Sequence, residues 1–329
     1  MDPAFHQAIF KIKDQKTFRD AALKVFLYQS RQTPVYGEYL QKLGIDPVQI
    51  SRLEEIPFLP VEFFKTHTVL GEGKKAEIIF ESSGTTLQTL AKHYIVDVSL
   101  YRESFSRGFS HIYGSPENYC IVALLPSYLQ RSGSSLVYMM DHLMGQSQHP
   151  ESGFYLDNLD ELSILLQRRN DDGQPTLLVG VSYALLDLAD IAPLILKDHI
   201  IMMETGGMKG RRREMVRGEL HKALKKAFGL KTIHSEYGMT ELLSQAYSSG
   251  NGLFYTPPWM KILIRDPNDP FSTVQQGQTG GLNIIDLANL YSCSFIATGD
   301  LGKTYADGGF EILGRFDHSD IRGCNLMVP

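Results

Sequence analysis

The sequence predicts an α/β fold in which helices cover a largely parallel β-sheet. Short apolar runs alternate with segments of helical length along the middle of the chain, and strands separated by such helices favour parallel pairing. Small polar loops follow two of the predicted strands, at the edge where open α/β sheets usually bind nucleotides. The 329 residues can bury a substantial core in one large domain or two.

Composition narrows the class of protein. Hydrophobic residues make up 43% and charged residues 21% of the chain, as in soluble globular proteins. The net charge of −5 gives no reason to expect a nucleic acid partner. There is no signal-peptide pattern, no apolar run of the roughly 18 residues that cross a bilayer, and no Cys-x-x-Cys pair among the three cysteines. We therefore expect a cytoplasmic enzyme without stable membrane insertion.

The chain is predicted to divide into two regions. Residues 1–56 form a helical amino-terminal region, because apolar residues recur there at helical spacing. Pro57 and Pro60 interrupt that pattern and begin a second region, residues 57–329.

Within the second region the predicted elements alternate. Strands are expected at 76–80, 120–125, 176–181 and 199–204, with helices near 99–112, 134–143, 159–168 and 184–188. Residues 210–228 predict a basic helix with Val216, Leu220, Leu224 and Phe228 on one face. We interpret it as a solvated surface helix rather than a nucleic acid or membrane contact. Turns and short strands after residue 250 predict an antiparallel or barrel-like subregion.

A loop of small polar residues, Glu81-Ser-Ser-Gly-Thr-Thr86, follows the first of these strands. Backbone N–H groups and hydroxyls in such a loop can surround phosphate oxygens, and Gly84 permits close approach. The loop lacks the Gly-Lys-Ser/Thr ending of a Walker loop. Taken alone, an ordinary polar turn explains it at least as well.

The segment His234–Glu241 (His-Ser-Glu-Tyr-Gly-Met-Thr-Glu) is the most informative one. Tyr237 next to Gly238 offers an aromatic face beside a position without a side chain, which suits stacking on a flat base. Thr240 and Glu241 place a hydroxyl and a carboxylate side by side, able to hold a phosphate and its Mg²⁺. Without companion motifs, a glycine turn with a surface acid would be the simpler explanation.

Three further segments supply those companions. Thr205-Gly-Gly-Met208 ends another predicted strand, where nucleotides bind in open sheets. Asp300, in Thr-Gly-Asp, has acceptor atoms for paired ribose hydroxyls. Gly-Arg-Phe-Asp-His-Ser-Asp-Ile-Arg-Gly occupies 314–323.

In their order and spacing, these segments resemble the acyl/aryl-adenylate-forming superfamily, which includes acyl-CoA ligases, firefly luciferase and the adenylation domains of peptide synthetases. Residues 58–67 and 125–138 are similar to the acyl-protein synthetases of bacterial bioluminescence in particular. The likeness runs from about Pro57 to the carboxyl end. It implies the large amino-terminal domain of that superfamily, with helix-packed sheets and a small β-rich region, lacking the mobile carboxyl-terminal domain.

The resemblance also implies which residues bind ATP. The phosphate loop would comprise Ser82, Ser83, Gly84, Thr85 and Thr86. The adenine pocket would be lined by Gly206, Gly207 and Met208, with Tyr237 stacked on the base beside Gly238 and Met239.

The remaining residues implied by the resemblance are those closest to the chemistry. Thr240 would contact the α-phosphate, Glu241 would hold Mg²⁺, and Asp300 would bind the ribose hydroxyls. Arg315 would reach the ribose or a phosphate, and Asp317 would occupy the hinge position.

The implied reaction converts a carboxylic acid, in the first instance a fatty acid, and ATP into an acyl-adenylate and pyrophosphate. The acyl group is then transferred to a protein thiol, with AMP as the leaving group. One alternative is an acyl- or aryl-CoA ligase similar to phenylacetate–CoA ligases. Another is a catalytically weak nucleotide- or acyl-binding subunit of a complex. Two departures from the pattern bear on this choice: Leu87–Lys92 replaces the usual Gly-x-Pro-Lys continuation, and the mobile domain's lysine has no counterpart.

The acyl group has two predicted locations. We expect its pocket beside the phosphate loop, with residues 125–138 and 180–183 among the walls, since apolar walls suit a fatty or aryl tail. Core packing explains these residues equally well. The resemblance makes Cys324, in the tail after Asp317, a candidate acyl carrier whose thiolate attacks the acyl-adenylate. A buried structural cysteine is the alternative.

Overall fold

In the computed structural model, residues 3–83, 89–126, 133–156, 158–206, 212–213 and 215–316 are described. The helices are α1 (Pro3–Ile9), α2 (Gln15–Gln32), α3 (Pro34–Lys42), α4 (Phe63–Thr66), α5 (Val98–Tyr113), α6 (Ser135–Ser147), α7 (Leu159–Asp172), α8 (Ser182–Ile191) and α9 (Arg217–Phe228). The strands are β1 (Leu59–Pro60), β2 (Ile78–Glu81), β3 (Lys92–Ile95), β4 (Cys120–Leu124), β5 (Gly153–Phe154), β6 (Thr176–Val181), β7 (Ile200–Thr205), β8 (His234–Tyr237), β9 (Ala246–Ser248), β10 (Leu253–Phe254), β11 (Met260–Arg265), β12 (Gly280–Asp286), β13 (Phe295–Thr304) and β14 (Phe310–Arg315).

The predicted parallel sheet is confirmed. Its strand order is β5-β4-β6-β7-β8-β9, with parallel pairing throughout except for β9, which runs antiparallel to β8. Strands β4 and β6 are buried along their whole length, because a parallel sheet is covered on both faces and selects continuous apolar runs. Val181, Thr205 and Glu236 are register partners on neighbouring strands. The carboxyl ends of β6, β7 and β8 therefore reach the same edge.

A second sheet forms from the last third of the chain, as the turn-rich composition predicts. Strands β11, β12, β13 and β14 pair antiparallel, β10 adds to β14, and β1 joins β13 in parallel. In this sheet Asp300 on β13 is the direct partner of Arg315 on β14. Two candidate site residues are thus neighbours by register.

The amino-terminal helices pack on the segment between β12 and β13. Helix α2 begins at the N-cap Asp14, whose carboxylate accepts from the Thr17 N–H at 2.8 Å. Gln29 Nε2, on the buried face of α2, donates to the Asn289 carbonyl at 2.7 Å, and Oγ1 of the C-cap residue Thr33 donates to the Ser292 carbonyl at 3.0 Å. This region contains α1, α2 and α3, and its separation as a domain at residue 56 stays a prediction.

The predicted helix over 210–228 is wrong at its start. Helix α9 begins at Arg217, and Val216 is an extended N-cap with 66% of its surface exposed. Arg217 bonds the buried Glu204 on β7 at 3.1 Å and the Ile312 carbonyl at 3.3 Å, which ties the first turn to both sheets. The other three predicted face residues are buried: Leu220, Leu224 and Phe228. Within the described part of the chain, no helix is long and apolar enough to span a membrane.

Candidate functional site

The site lies at the carboxyl edge of β8, where the two sheets meet. The Tyr237 hydroxyl donates to Asp300 Oδ2 at 2.7 Å, and Arg315 Nε donates to Asp300 Oδ1 at 3.0 Å. Only 6% of Asp300 is exposed, so its carboxylate accepts these charge-assisted bonds in a largely desolvated place, although the Arg315 side chain itself is exposed. Three residues from three distant sequence motifs are thereby brought into direct contact.

Tyr237 is itself almost enclosed. It is 9% exposed, and its ring meets Phe254 and Phe310 edge-on at centroid distances of 6.2 and 6.0 Å. Burial, reinforced by the Asp300 charge, raises the pKa of this phenol well above its ordinary value. The hydroxyl therefore remains a proton donor to Asp300 at all physiological pH values. Stacking of the ring on adenine stays a prediction.

Glycine is required at two positions around this edge. A Cβ at Gly238 would overlap Glu236 Oε1 and lie 3.3 Å from Gln245 Cγ. Gly206 has a φ of 68° directly after β7, a left-handed conformation that side chains disfavour. Its carbonyl accepts from Ser182 Oγ at 2.9 Å. The turn after β7 is thus bound to the turn after β6.

Glu241 is a buried carboxylate, 6% exposed. Burial raises its pKa to about 7, although the positive charges of Lys65 and Arg315 act in the opposite direction. A group with this pKa is uncharged or charged according to what binds beside it. It is the side chain at this site whose protonation state is most open to a ligand's charge.

The backbone of residues 240 and 241 is held from behind by buried polar side chains. His93 Nδ1 lies 2.9 Å from the Thr240 carbonyl, and Asn289 Nδ2 donates to the Glu241 carbonyl at 2.8 Å. Asp286 accepts from the N–H groups of Leu243 and Ser244 at 2.8 and 2.9 Å. The position of the Thr240–Glu241 pair therefore depends on three residues that the sequence analysis did not select.

His93 has one tautomer consistent with these contacts. Because a carbonyl only accepts, Nδ1 carries the proton to Thr240, and Nε2 accepts from Ser292 Oγ at 2.8 Å. Burial lowers the pKa of this imidazole to about 4, so the ring is neutral near pH 7. Ser292 in turn accepts the Thr33 hydrogen bond described above. A chain of contacts thus runs from α2 to the site.

One sequence signal could have identified these supports. The segment 286–294, Asp-Leu-Ala-Asn-Leu-Tyr-Ser-Cys-Ser, is rich in polar residues although it joins two strongly apolar strands. Such residues are buried only when they hydrogen-bond. His93 gives no comparable signal, because its neighbours in sequence are those of any short strand.

Only part of the predicted phosphate loop lies within the described residues. Strands β2 and β3 form the hairpin that carries it, and Ala91 N–H donates to Ser82 Oγ at 2.9 Å. Lys92 pairs with Glu81 at 3.3 Å across the hairpin. Ser83 is exposed at the end of the described part of this hairpin. Several other predicted residues lie outside the described residues: Gly84, Thr85, Thr86, Gly207, Met208, Asp317 and Cys324.

The site offers one carboxylate, Glu241, as a metal ligand. Such a site suits Mg²⁺, which also binds substrate phosphates, better than a metal ion whose ligands all come from the protein. No group of three or more His, Cys, Asp or Glu side chains able to hold a metal occurs in the described residues. Mg²⁺ usually takes one or two carboxylates and completes its shell with water and substrate phosphates. Glu241, whose buried charge is poorly compensated, fits the role of such a single carboxylate.

Comparison with known families decides the relationship. The model of the acyl-protein synthetase family LuxE matches residues 8–329. The chain belongs to this family. A comparison with curated proteins found no match.

Solved structures share the fold of this LuxE-family chain. ATP-bound MatB from Rhodopseudomonas palustris aligns with a TM-score of 0.54 at 18% identity, over 72% of this chain and 47% of MatB. The chain therefore spans about half the length of MatB. A 2-hydroxyisobutyryl-CoA ligase in complex with 2-HIB-AMP and CoA aligns with a TM-score of 0.64 at 16% identity, over 92% and 68% of the two chains. The predicted α/β fold with helix-packed sheets is confirmed.

The buried His93 leads to a prediction about pH and stability. Its pKa of about 4 is below the unfolded value of 6.5, so the folded state resists protonation. Its contribution to stability is complete above pH 6.5 and is lost as pH falls from 6.5 towards 4, by up to about 3 kcal/mol. We expect urea unfolding at pH 7.5 and pH 5 to show a smaller pH difference in His93→Gln than in wild type. His111→Gln, at an exposed position on α5, is the control. Equal pH dependence in wild type and His93→Gln would contradict the assignment.

Proposed function

We propose that this LuxE-family chain is an acyl-adenylate-forming ligase that uses ATP to activate a carboxylic acid. The observation that carries the proposal is the Tyr237–Asp300–Arg315 contact at the carboxyl edge of β8, beside the buried Glu241. A desolvated carboxylate aligned by a phenol and a guanidinium is suited to accept hydrogen bonds from two ribose hydroxyls. Nucleotides bind at this edge in open α/β sheets.

Each group at the site has a part in the proposed reaction. Asp300 would hold the ribose, and Arg315, next to it, would meet the negative charge of the α-phosphate as the carboxylate attacks. Glu241 would hold Mg²⁺, which supplies charge compensation for the phosphates when it is bound. Thr240, whose carbonyl is fixed by His93, would present its hydroxyl to the α-phosphate in a set position.

We further propose that the substrate is a fatty acid and that its acyl group is transferred to a protein thiol in the cytoplasm. Membership of the acyl-protein synthetase family supports it. The aligned 2-hydroxyisobutyryl-CoA ligase, which was solved with CoA, favours the alternative in which CoA is the acceptor. A catalytically weak binding subunit is the third candidate, and it predicts nucleotide binding without turnover.

ATP–pyrophosphate exchange with a panel of carboxylic acids tests the proposal. We expect exchange that depends on both the acid and Mg²⁺. AMP release in the presence of CoA is then compared with AMP release in the presence of a candidate acceptor protein. The acceptor that accelerates AMP release identifies the thiol that takes the acyl group. Nucleotide binding without exchange for any acid would reject the ligase in favour of the binding subunit.

The acyl carrier is proposed to be Cys324. In the described residues the other two cysteines, Cys120 and Cys293, are buried, and burial raises the pKa of Cys120 to about 11 and that of Cys293 to about 12. Neither thiol supplies thiolate near pH 7. We expect ATP and a labelled fatty acid to give hydroxylamine-labile label on wild type but not on Cys324→Ser, with pyrophosphate exchange retained. Equal labelling of both proteins would eliminate Cys324 as the carrier.

A further inference from the structure

Strand β13 departs from regular pairing at the residues that carry the proposed ribose ligand. Ala297 and Leu301 are four residues apart in β13, but their partners in β12 are only two residues apart. One residue of β12 therefore faces residues 298–300 of β13, which we call the Asp300 bulge. Bulges redirect a side chain and interrupt the hydrogen bonds between the strands. The direction of the Asp300 carboxylate therefore depends on the groups that hold this bulge.

Arg265, the last residue of β11, supplies hydrogen bonds at the bulge. Its side chain crosses β12, where Nη1 donates to the Leu282 carbonyl at 2.9 Å and to Asn283 Oδ1 at 3.1 Å. Nη2 donates to the Thr298 carbonyl on β13. A Cβ at Gly281 would lie only 2.3 Å from Arg265 Cζ, so the glycine leaves room for the guanidinium. One side chain thus joins three strands at the Asp300 bulge.

The same guanidinium also contacts the residue that follows β14. The Phe316 ring lies against Arg265, with its centroid 5.1 Å from Cζ, and the Phe316 N–H donates to the Gly299 carbonyl at 2.8 Å. Within the bulge, the Asp300 N–H donates to Thr298 Oγ1 at 3.1 Å. The bulge is therefore held from β12 and from the end of β14, and Arg265 contacts both.

These contacts suit arginine in particular. In the described part of the chain, the hydrogen-bond acceptors of Arg265 are two backbone carbonyls and one side-chain amide, all of them uncharged. Burial lowers the pKa of Arg265, although the negative charges of Glu62 and Asp300 oppose this shift. A planar guanidinium can donate to two strands and present a flat face to a ring, whereas a lysine ammonium has neither the fixed fork nor the flat face.

We infer that Arg265 is a positioning residue that fixes the Asp300 bulge in the conformation that binds ribose. It acts through Asp300 rather than on the nucleotide itself. Loosening the bulge should therefore weaken the hydrogen bonds to the ribose hydroxyls more than the other contacts of the nucleotide. This inference rests on the proposed function, in which Asp300 holds the ribose.

The test compares ATP with 2′,3′-dideoxy-ATP, which lacks both ribose hydroxyls, by calorimetric titration without a carboxylic acid. We expect wild type to prefer ATP, and Arg265→Lys to lower that preference on the order of tenfold while its affinity for the dideoxy nucleotide stays nearly constant. Arg217→Lys is the matched control. Arg217 also lies over an aromatic ring, Phe254 at 4.8 Å, and donates to a carbonyl of the same sheet, that of Ile312. Its replacement should leave the preference unchanged.

Phe316→Leu is a second variant, which removes the ring from the guanidinium and leaves the hydrogen bonds of Arg265 in place. We expect it to lower the preference for ATP in the same direction by a smaller factor, and it keeps the inference testable should Arg265→Lys not fold. In an Asp300→Asn background, Arg265→Lys should lower the preference no further, because the two residues act through one set of hydrogen bonds.

The outcomes separate the inference from the proposed function. An unchanged preference for ATP in folded Arg265→Lys and Phe316→Leu overturns the positioning role and leaves the ligase intact. Equal losses of affinity for both nucleotides would make Arg265 a structural residue only, and also overturn it. A wild type without preference for ATP removes Asp300 from the ribose, and the inference with it, while pyrophosphate exchange tests the ligase separately.

Discussion

Replacing Asp300 should weaken ATP binding by about 10- to 100-fold, the equivalent of one charge-assisted hydrogen bond of ~1.5–3 kcal/mol. Asp300 is the acceptor for both Tyr237 and Arg315, so its loss also leaves the buried Tyr237 hydroxyl without its acceptor and releases the exposed Arg315 guanidinium. Asp300→Asn keeps the shape and isolates the charge, whereas Asp300→Ala removes the acceptor altogether. Isothermal titration with a non-hydrolysable ATP analogue measures the effect.

The same sheet offers a matched control. The Tyr255 hydroxyl donates to Asp307 Oδ2 at 2.9 Å, a tyrosine–aspartate bond on the exposed surface. Asp307→Asn should leave nucleotide affinity unchanged. Unchanged affinity in both Asp300 variants, with intact melting curves, would remove Asp300 from the nucleotide site.

Glu241→Gln should lower adenylation while raising the stability of the free protein. The pKa of Glu241 is about 7 when folded against 4.5 when unfolded, so the folded state favours the protonated form. The cost of ionising it develops as pH rises from 4.5 to 7 and amounts to about 3 kcal/mol above that range. The uncharged glutamine avoids this cost but is a weaker Mg²⁺ ligand. Exchange rates should therefore fall while the melting temperature at pH 8 rises.

Glu55 is the control, because its pKa is shifted in the opposite direction from that of Glu241. Hydrogen bonds from the Ser51 backbone and Arg52 lower its pKa to about 2, so Glu55→Gln should not raise the melting temperature at pH 8. Thermal melts of both variants at pH 5 and pH 8, without nucleotide, provide the comparison. A melting temperature of Glu241→Gln at or below that of wild type at pH 8 would show that the carboxylate is not penalised by burial.

The motifs and the order of elements were readable from the sequence because they are local. Apolar runs such as 120–125 and 176–181 predict buried parallel strands. The residues of the Tyr237–Glu241 segment are adjacent in sequence, so their combination can be recognised without knowing the fold. The start of α9 could not be read in this way. Val216 continues the helical pattern, but Arg217 is tied to Glu204 and to the Ile312 carbonyl, and those partners are known only after folding.

Local sequence thus determined the fold class, the family and the candidate nucleotide residues of this chain. Tertiary structure alone decided how they are held. The contact of Asp300 with Tyr237 and Arg315 depends on strand register and on how the two sheets meet, and the tautomer of His93 depends on Thr240 and Ser292, far away in the chain.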